Sequence, residues 1–359
     1  MSSARQVKTI YFIYMGLFST NKSFLGIDIG TSSIKIVELK GEAGKIKLLT
    51  YGFSENILES GQVDIKDIVY IINKICDQAG TVSRSAVSAL PTFSVFSSIL
   101  NLSGVSKKDI ASAVHWEAKK VIPLPLEEMI LDWKKIEDKE EKSGGKTNIR
   151  VLLTGAPRAL VKRYIDIFKN AQINLISLET ESFALIRSLL GNDKSTVMIV
   201  EIGATTTSIT IISQSIPIFN RSIDIGGLTI TKAISNNLNI GLERAEQFKY
   251  DLGISHRESQ EEIIPKTITE TISPIINEIK YSLTLFQSKS NKTVDKIILS
   301  GGSALLINFP YYLSKILNIN VIVGNPWPRI SYPSDLKLLL DEIGPRLAIA
   351  IGLAMREIE

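Results

Sequence analysis

The feature that most constrains this chain is a pattern that occurs twice. FLGIDIGTSSIKIVEL at 24–39 and VMIVEIGATTTSITII at 197–212 share one order: apolar strand, acid, isoleucine, glycine, small hydroxylated residues, apolar strand. Asp28 aligns with Glu201 and Gly30 with Gly203. β-Branched and apolar residues on both sides of a glycine predict β-hairpins, because glycine takes backbone angles that other residues resist. One such hairpin is an ordinary turn. Two, half a chain apart and each with a carboxylate at the strand end, predict a duplicated domain with a site between its halves.

Such turns have a definite chemistry. Successive backbone N–H groups form a concave nest for anions, and hydroxyls add donors. Thr31, Ser32 and Ser33 on one side, with Ala204, Thr205, Thr206 and Thr207 on the other, can hold a polyphosphate from both ends. Asp28 and Glu201 would then face each other and repel unless a cation lies between them, and Mg²⁺ takes oxygen ligands while keeping several waters. Lys35 is the natural partner for a phosphate tail. A third glycine-rich turn, Gly301-Gly302-Ser303, follows the apolar strand KIILS and precedes a helix expected near Ala304. Alone it reads as a common strand-to-helix turn; after the two hairpins it reads as a third wall of an anion or nucleotide site.

With 359 residues, 44% of them hydrophobic, the chain can build two domains or one large split one. Lys and Arg total 41 against 37 acids, with no long block of either sign, so nothing points to nucleic acid. A lone cysteine, Cys76, excludes an intrachain disulfide framework, and two histidines, His115 and His256, make a histidine metal site a poor reading. No window has the roughly 18 apolar residues of a membrane span. Met15 opens a self-sufficient start, so residues 1–14 read as a leader and 1–22 are expected to stand outside the fold.

In order and in kind, these pieces resemble the actin-like ATPase superfamily, and within it the PilM family of type IV pilus assembly proteins, related to FtsA. FLGIDIGTSSIKIVEL resembles the first phosphate motif, EIGATTTSITI the second and LSGGSALLINF the adenosine motif. SLETESFALIRSL at 177–189 is similar to the first connecting helix, and GPRLAIAIGLAMRE at 344–357 to the second. The resemblance implies two α/β lobes around a nucleotide cleft holding ATP or ADP with Mg²⁺. It assigns phosphate contacts to Asp28, Gly30, Thr31, Ser32, Ser33, Lys35, Gly203, Ala204, Thr205 and Thr206. Nucleoside contacts fall on Gly227, Glu246, Lys249, Gly301, Gly302 and Ser303. Metal contact falls on Asp28 and Glu201 through water. Glu179 stands as the candidate that orients the attacking water, with Thr180 in place of the family's proline. Small residues Ala348, Ala350, Gly352 and Ala354 would let the connecting helices cross closely.

The expected division is 23–90 for the first part of lobe one, 91–172 for a small inserted α+β subdomain, and 173–194 for a return to lobe one. Lobe two spans 195–343, and 344–359 is a connecting helix back to lobe one. Within the insertion, residues 139–148 read as a polar loop. The resemblance implies a cytoplasmic ATP-binding adaptor, with slow or absent hydrolysis, that docks the N-terminal cytoplasmic tail of a bitopic, PilN-like inner-membrane protein. The groove would lie between lobe one and the insertion, where Trp116 and Trp133 are candidate anchors. Pilus motor ATPases and self-association are further expected contacts. Two other readings stand beside it: an FtsA-like polymerising protein, weighed against because the chain stops at MREIE without that family's membrane helix, and a small-molecule kinase.

Overall fold

Two sheets of one topology carry the two copies of the repeat. The structure, a computed structural model, describes residues 10–14, 22–42, 44–54, 64–105, 108–136, 142–143, 146–254 and 263–359. The first lobe begins with β1 (Ile10–Tyr14), β2 (Ser23–Ile29), β3 (Ile34–Glu42), β4 (Lys45–Ser54), α1 (Ile65–Ala79) and β5 (Ser85–Leu90). The insertion holds β6 (Phe96–Ser103), α2 (Ile110–Val121), β7 (Met129–Ile136), β8 (Lys142–Ser143) and β9 (Lys146–Pro157), and α3 (Arg158–Asn170), β10 (Asn174–Thr180) and α4 (Glu181–Leu185) return to lobe one. The second lobe comprises β11 (Val197–Ile202), β12 (Thr207–Ser213), β13 (Ile216–Ile223), α5 (Gly227–Leu238), α6 (Leu242–Leu252), α7 (Ile263–Ser290), β14 (Lys296–Ser300), α8 (Phe309–Leu317) and β15 (Asn320–Val323). Then β16 (Ile330–Ser331) and α9 (Lys337–Met355) close the chain back onto the first lobe.

The first sheet runs β1-β4-β3-β2-β5-β10, with β16 also on β4, and the second runs β13-β12-β11-β14-β15. Without β1 and β16, the two match strand for strand: two antiparallel neighbours on one side of the repeat strand and two parallel ones on the other. Helices cover both sheets for the reason the sequence gives. In α1, Ile68, Ile71, Ile72 and Ile75 recur at helical spacing and are all buried in one core with residues of β2, β3, β5 and α3. Each contributes about 1.5–3 kcal/mol through burial.

From Leu347 to Met355 α9 is apolar on every side and buried, and the helix packs on β2 and β3 and crosses α4. The small residues do what their spacing predicts. A methyl at Gly26 would lie 1.8 Å from the Ala350 carbonyl oxygen, and one at Gly352 would lie 1.9 Å from that of Ala184. Side chains cannot enter either crossing.

Several boundaries differ from expectation. The expected insertion of 91–172 includes α3, yet its Tyr164, Ile167 and Phe168 pack into the first lobe's core with α1, which sets the end of the insertion near Pro157. An amphipathic helix shows which face it buries but not on which sheet. The segment 177–180 lies in β10, not in a helix; the helix starts at Glu181 and continues as a π-helical turn, Ile186–Leu190. Behind Gly301-Gly302 comes a short 3₁₀ turn, Gly302–Leu305, and the α-helix waits until Phe309. Inside the expected polar loop, Lys142 and Ser143 pair with Thr147 and Lys146 as a small hairpin. The expected leader supplies an edge strand, β1, antiparallel to β4; Met15 lies outside the described residues. Trp133 packs against the insertion's core, whereas Trp116 is exposed with the Lys119 ammonium over its ring. Among the described residues no helix is long and apolar enough to cross a membrane.

Candidate functional site

The repeated turns close in the same way: the Gly30 N–H donates to the Ser33 carbonyl at 3.0 Å, and the Gly203 N–H to that of Thr206 at 2.9 Å. They also touch. The Thr205 hydroxyl donates to Thr31 Oγ1 at 2.9 Å, so the hydroxylated tips of the two lobes meet across the cleft. Ser32 is half-buried beside Thr31, and Ser33 is buried. Ala204 and Gly203 turn their carbonyls away, accepting the Leu228 and Gly227 N–H groups that open α5.

Asp28 is buried at the end of β2, and Lys35 Nζ bonds its carboxylate at 2.9 Å because the two residues are cross-strand partners. Glu201 occupies the equivalent place on β11, where its cross-strand partner is Ser208. Burial first, and then the nearby Glu181 carboxylate, push the Glu201 carboxyl up to about 8. Glu181 is pushed up to about 7 by burial and then by Asp28. Three carboxylates thus share one chamber, with Lys35 favouring the charged forms of Glu181 and Glu201. Tyr164 on α3 lies against it too, its hydroxyl pushed up by burial, then by Glu181 and Asp28.

The candidate water-orienting residue is corrected by this geometry. Glu179 points to the back of the hinge, where Arg187 grips it with two bonds of 2.8 and 3.0 Å and Arg356 approaches to 3.4 Å. Glu181, two residues on, takes the chamber position because β10 gives way to α4 between them. The signal was present in the sequence as a second acid in SLETES.

At the other end of the cleft Lys249 is buried, its ammonium 2.8 and 2.7 Å from the two Glu246 oxygens and 3.1 Å from Thr231 Oγ1. Burial pushes its pKa down, and Glu246 opposes that. A methyl on Gly227 would lie 2.5 Å from Ser303 Oγ and 3.4 Å from Lys249 Nζ, so these three converge. Gly301, at φ 83°, has its α-carbon against the Ile202 carbonyl and Glu201 Oε1, where a methyl would come within 2.3 and 2.9 Å. Gly302 faces the Tyr250 hydroxyl and the Arg346 stem. The structure thus joins Thr31 to Thr205, Asp28 to Lys35 and Gly227 to Lys249 and Ser303, sets Glu181, Thr231 and Tyr164 beside them, and holds Glu179 elsewhere on Arg187.

The residues fit an Mg-nucleotide. An all-oxygen set of acids suits Mg²⁺, and the missing side chains of Gly227 and Gly301 let Ser303, the Ile202 carbonyl and Glu201 close in around the site. Among the described residues no three such side chains stand close enough to enclose an ion directly, so its water shell would bridge to the acids. Phosphate between the turns would replace the Thr31–Thr205 bond, which requires the lobes to part.

Comparison with known proteins gives one family. A family model for the type IV pilus assembly protein PilM matches residues 26–358. Among curated proteins, the chain is similar to cell division protein FtsA of Bacillus subtilis, 22% identical over 86% of this chain and 80% of that protein. Among solved structures, a PilM-PilN type IV pilus biogenesis complex superposes with a TM-score of 0.80 at 25% identity, covering 93% of this chain and 98% of the other. MreB 5 of Spiroplasma citri bound to AMPPNP superposes at 0.54 with 13% identity over 93% of this chain and 95% of that one, a likeness of fold alone.

Proposed function

The chain belongs to the PilM family of type IV pilus assembly proteins, and on that premise we propose that it is an Mg-ATP-binding adaptor. It docks the cytoplasmic tail of a bitopic, PilN-like inner-membrane protein and is held at the membrane's inner face by that partner. The convergence of both turns, three carboxylates and the Lys249–Ser303 end on one cleft carries the nucleotide half of this reading. Likeness to a PilM-PilN complex supports the partner half.

In this reading Thr31, Ser32, Thr205 and Thr206 donate to phosphate, with Lys35 screening the charge. Asp28, Glu181 and Glu201 hold the waters around Mg²⁺. Glu246, Lys249, Gly227, Gly302 and Ser303 bound the nucleoside. The metal neutralises phosphate charge, and Glu181 is the group placed to orient a water. Its carboxylate is already bonded by Thr92, so turnover is expected well below the roughly 10 per second of a median enzyme. The tail binds as an extended peptide through backbone hydrogen bonds and a few pockets.

The test is titration calorimetry with Mg-ATP, followed by capture of a synthetic tail peptide from the candidate partner. Micromolar or tighter nucleotide binding with saturable tail capture supports the adaptor. Absence of both overturns it. Similarity to FtsA favours a second reading, nucleotide-dependent filaments, which sedimentation with Mg-ATP reads directly.

A further inference from the structure

β5 and β10 are parallel neighbours that end in step, Leu90 opposite Thr180, so the residues after each lie side by side. Here the Thr92 N–H donates to Glu181 Oε2 at 2.7 Å, and the Thr92 hydroxyl bonds the same carboxyl group. Thr92 opens the short turn Thr92–Ser94 that leads straight into β6, the first strand of the insertion. The next residue, Ser182, is buried, with its hydroxyl 3.2 Å from both Thr210 Oγ1 on β12 and Asn220 Oδ1 on β13. Around this junction a narrow crevice is lined by Thr92 and Ser182 of lobe one, Ser97 and Thr154 of the insertion, and Asn220 of lobe two. Three bodies therefore meet at residues 181 and 182, directly behind the acids of the cleft.

We propose that Glu181 is the link through which Mg-nucleotide binding in the cleft repositions the inserted subdomain. This rests on the reading of the cleft given above. One carboxylate serves two claimants. With Mg²⁺ bound, Glu181 would turn toward the cleft beside Asp28 and Glu201, and its charge-assisted bond from the Thr92 N–H would either follow or break. Few residues separate Thr92 from β6, so a shift of Thr92 is a shift of the strand root. The hydroxyl ties of Ser182 couple the same step to the parting of the lobes. Nucleotide state is thereby conveyed to the subdomain on which the partner groove depends, through a two-position contact biased by both sites.

Amide hydrogen exchange on the full chain, with and without Mg-ATP, tests the link in wild type, Thr92→Ser, Thr92→Pro and Glu181→Gln. Thr92→Pro deletes the N–H. The site accepts a proline, since Pro91 has the extended ψ of 133° that a residue before proline needs and Thr92 opens its turn. In wild type, Mg-ATP should change exchange in β6 and α2 by about fivefold or more, the low end of ordinary coupling between sites. Thr92→Ser, which keeps both donors, should retain that response. Thr92→Pro should lose it while calorimetry still shows Mg-ATP bound. Glu181→Gln keeps an acceptor for Thr92 but not the charge, so its metal-free exchange should match wild type and, at Mg-ATP concentrations that calorimetry shows saturate it, its response should vanish; it settles the matter if the proline variant does not fold. A response that survives in Thr92→Pro or Glu181→Gln overturns the link. So does wild type binding Mg-ATP with β6 and α2 unmoved, which leaves the nucleotide reading standing. Wild type that binds no Mg-ATP brings down both.

Discussion

In the first lobe Asp28 faces its own lysine across the hairpin, whereas in the second Glu201 faces Ser208. The turns themselves are closed by the same hydrogen bond, and the five strands around each are arranged alike. Duplication has preserved shape while charge diverged. One half arrives with its acid compensated; the other presents a carboxylate that burial and its neighbouring acids hold at about 8 although Lys35 pulls the other way. The second lobe keeps an ion pair, Asp193 with Lys296, but at the opposite end of the sheet, at the start of β14.

The largest expected effect comes from removing the compensated acid. Asp28→Ala leaves Lys35 without its partner and should weaken Mg-ATP binding about 100-fold or more by calorimetry, in line with breaking a buried pair. Next, Ser208→Lys gives the second lobe a cross-strand lysine like that of the first. The ratio of ATP affinities with and without Mg²⁺ should then shrink about tenfold, because the ammonium takes over part of the metal's task. An unchanged ratio would mean that the charge difference between the lobes is incidental.

A smaller effect tests the nucleoside end. Lys249→Met removes the buried ammonium that bonds Glu246, Thr231 and the Gly227 carbonyl, so nucleotide binding should fall about tenfold and the thermal midpoint should drop. The smallest concerns the far end of the second sheet. Hydrogen bonds from Lys296 and then Ser195 hold the Asp193 carboxyl down at about 2. A depressed folded value means stabilisation present above the ordinary aspartate range and lost as pH falls through about 2. Asp193→Asn should therefore lower the midpoint by about 1–2 °C at pH 7 and converge on wild type in strong acid. A thermal series against pH reads both.

Much of this was legible in the sequence because repeats, alternation and glycine turns are local signals. The hairpins at Asp28 and Glu201, the helix with Glu246 and Lys249 one turn apart, and the small residues of α9 all stand where the residues imply. What escaped depended on direction. Glu179 and Glu181 differ by two positions, and which one enters the cleft is decided by where β10 becomes α4, a boundary that propensity places poorly. Thr92 could not be tied to Glu181 at all, since the bond joins residues brought together by parallel strands 89 positions apart. α3 shows the same blindness: its apolar face is evident, and its choice of lobe is not.

The backbone crossings at Gly26 and Gly352 carry a consequence for how such a chain can change over generations. Residues around the cleft can be exchanged one for another, as serine stands for lysine between the two halves. At the crossings a single added methyl group would wedge α9 away from β2 or α4 without touching any ligand. In a survey of all substitutions, these two positions should tolerate nothing, rank beside Asp28 in severity, and mark the pivot as the part of the lineage least free to drift.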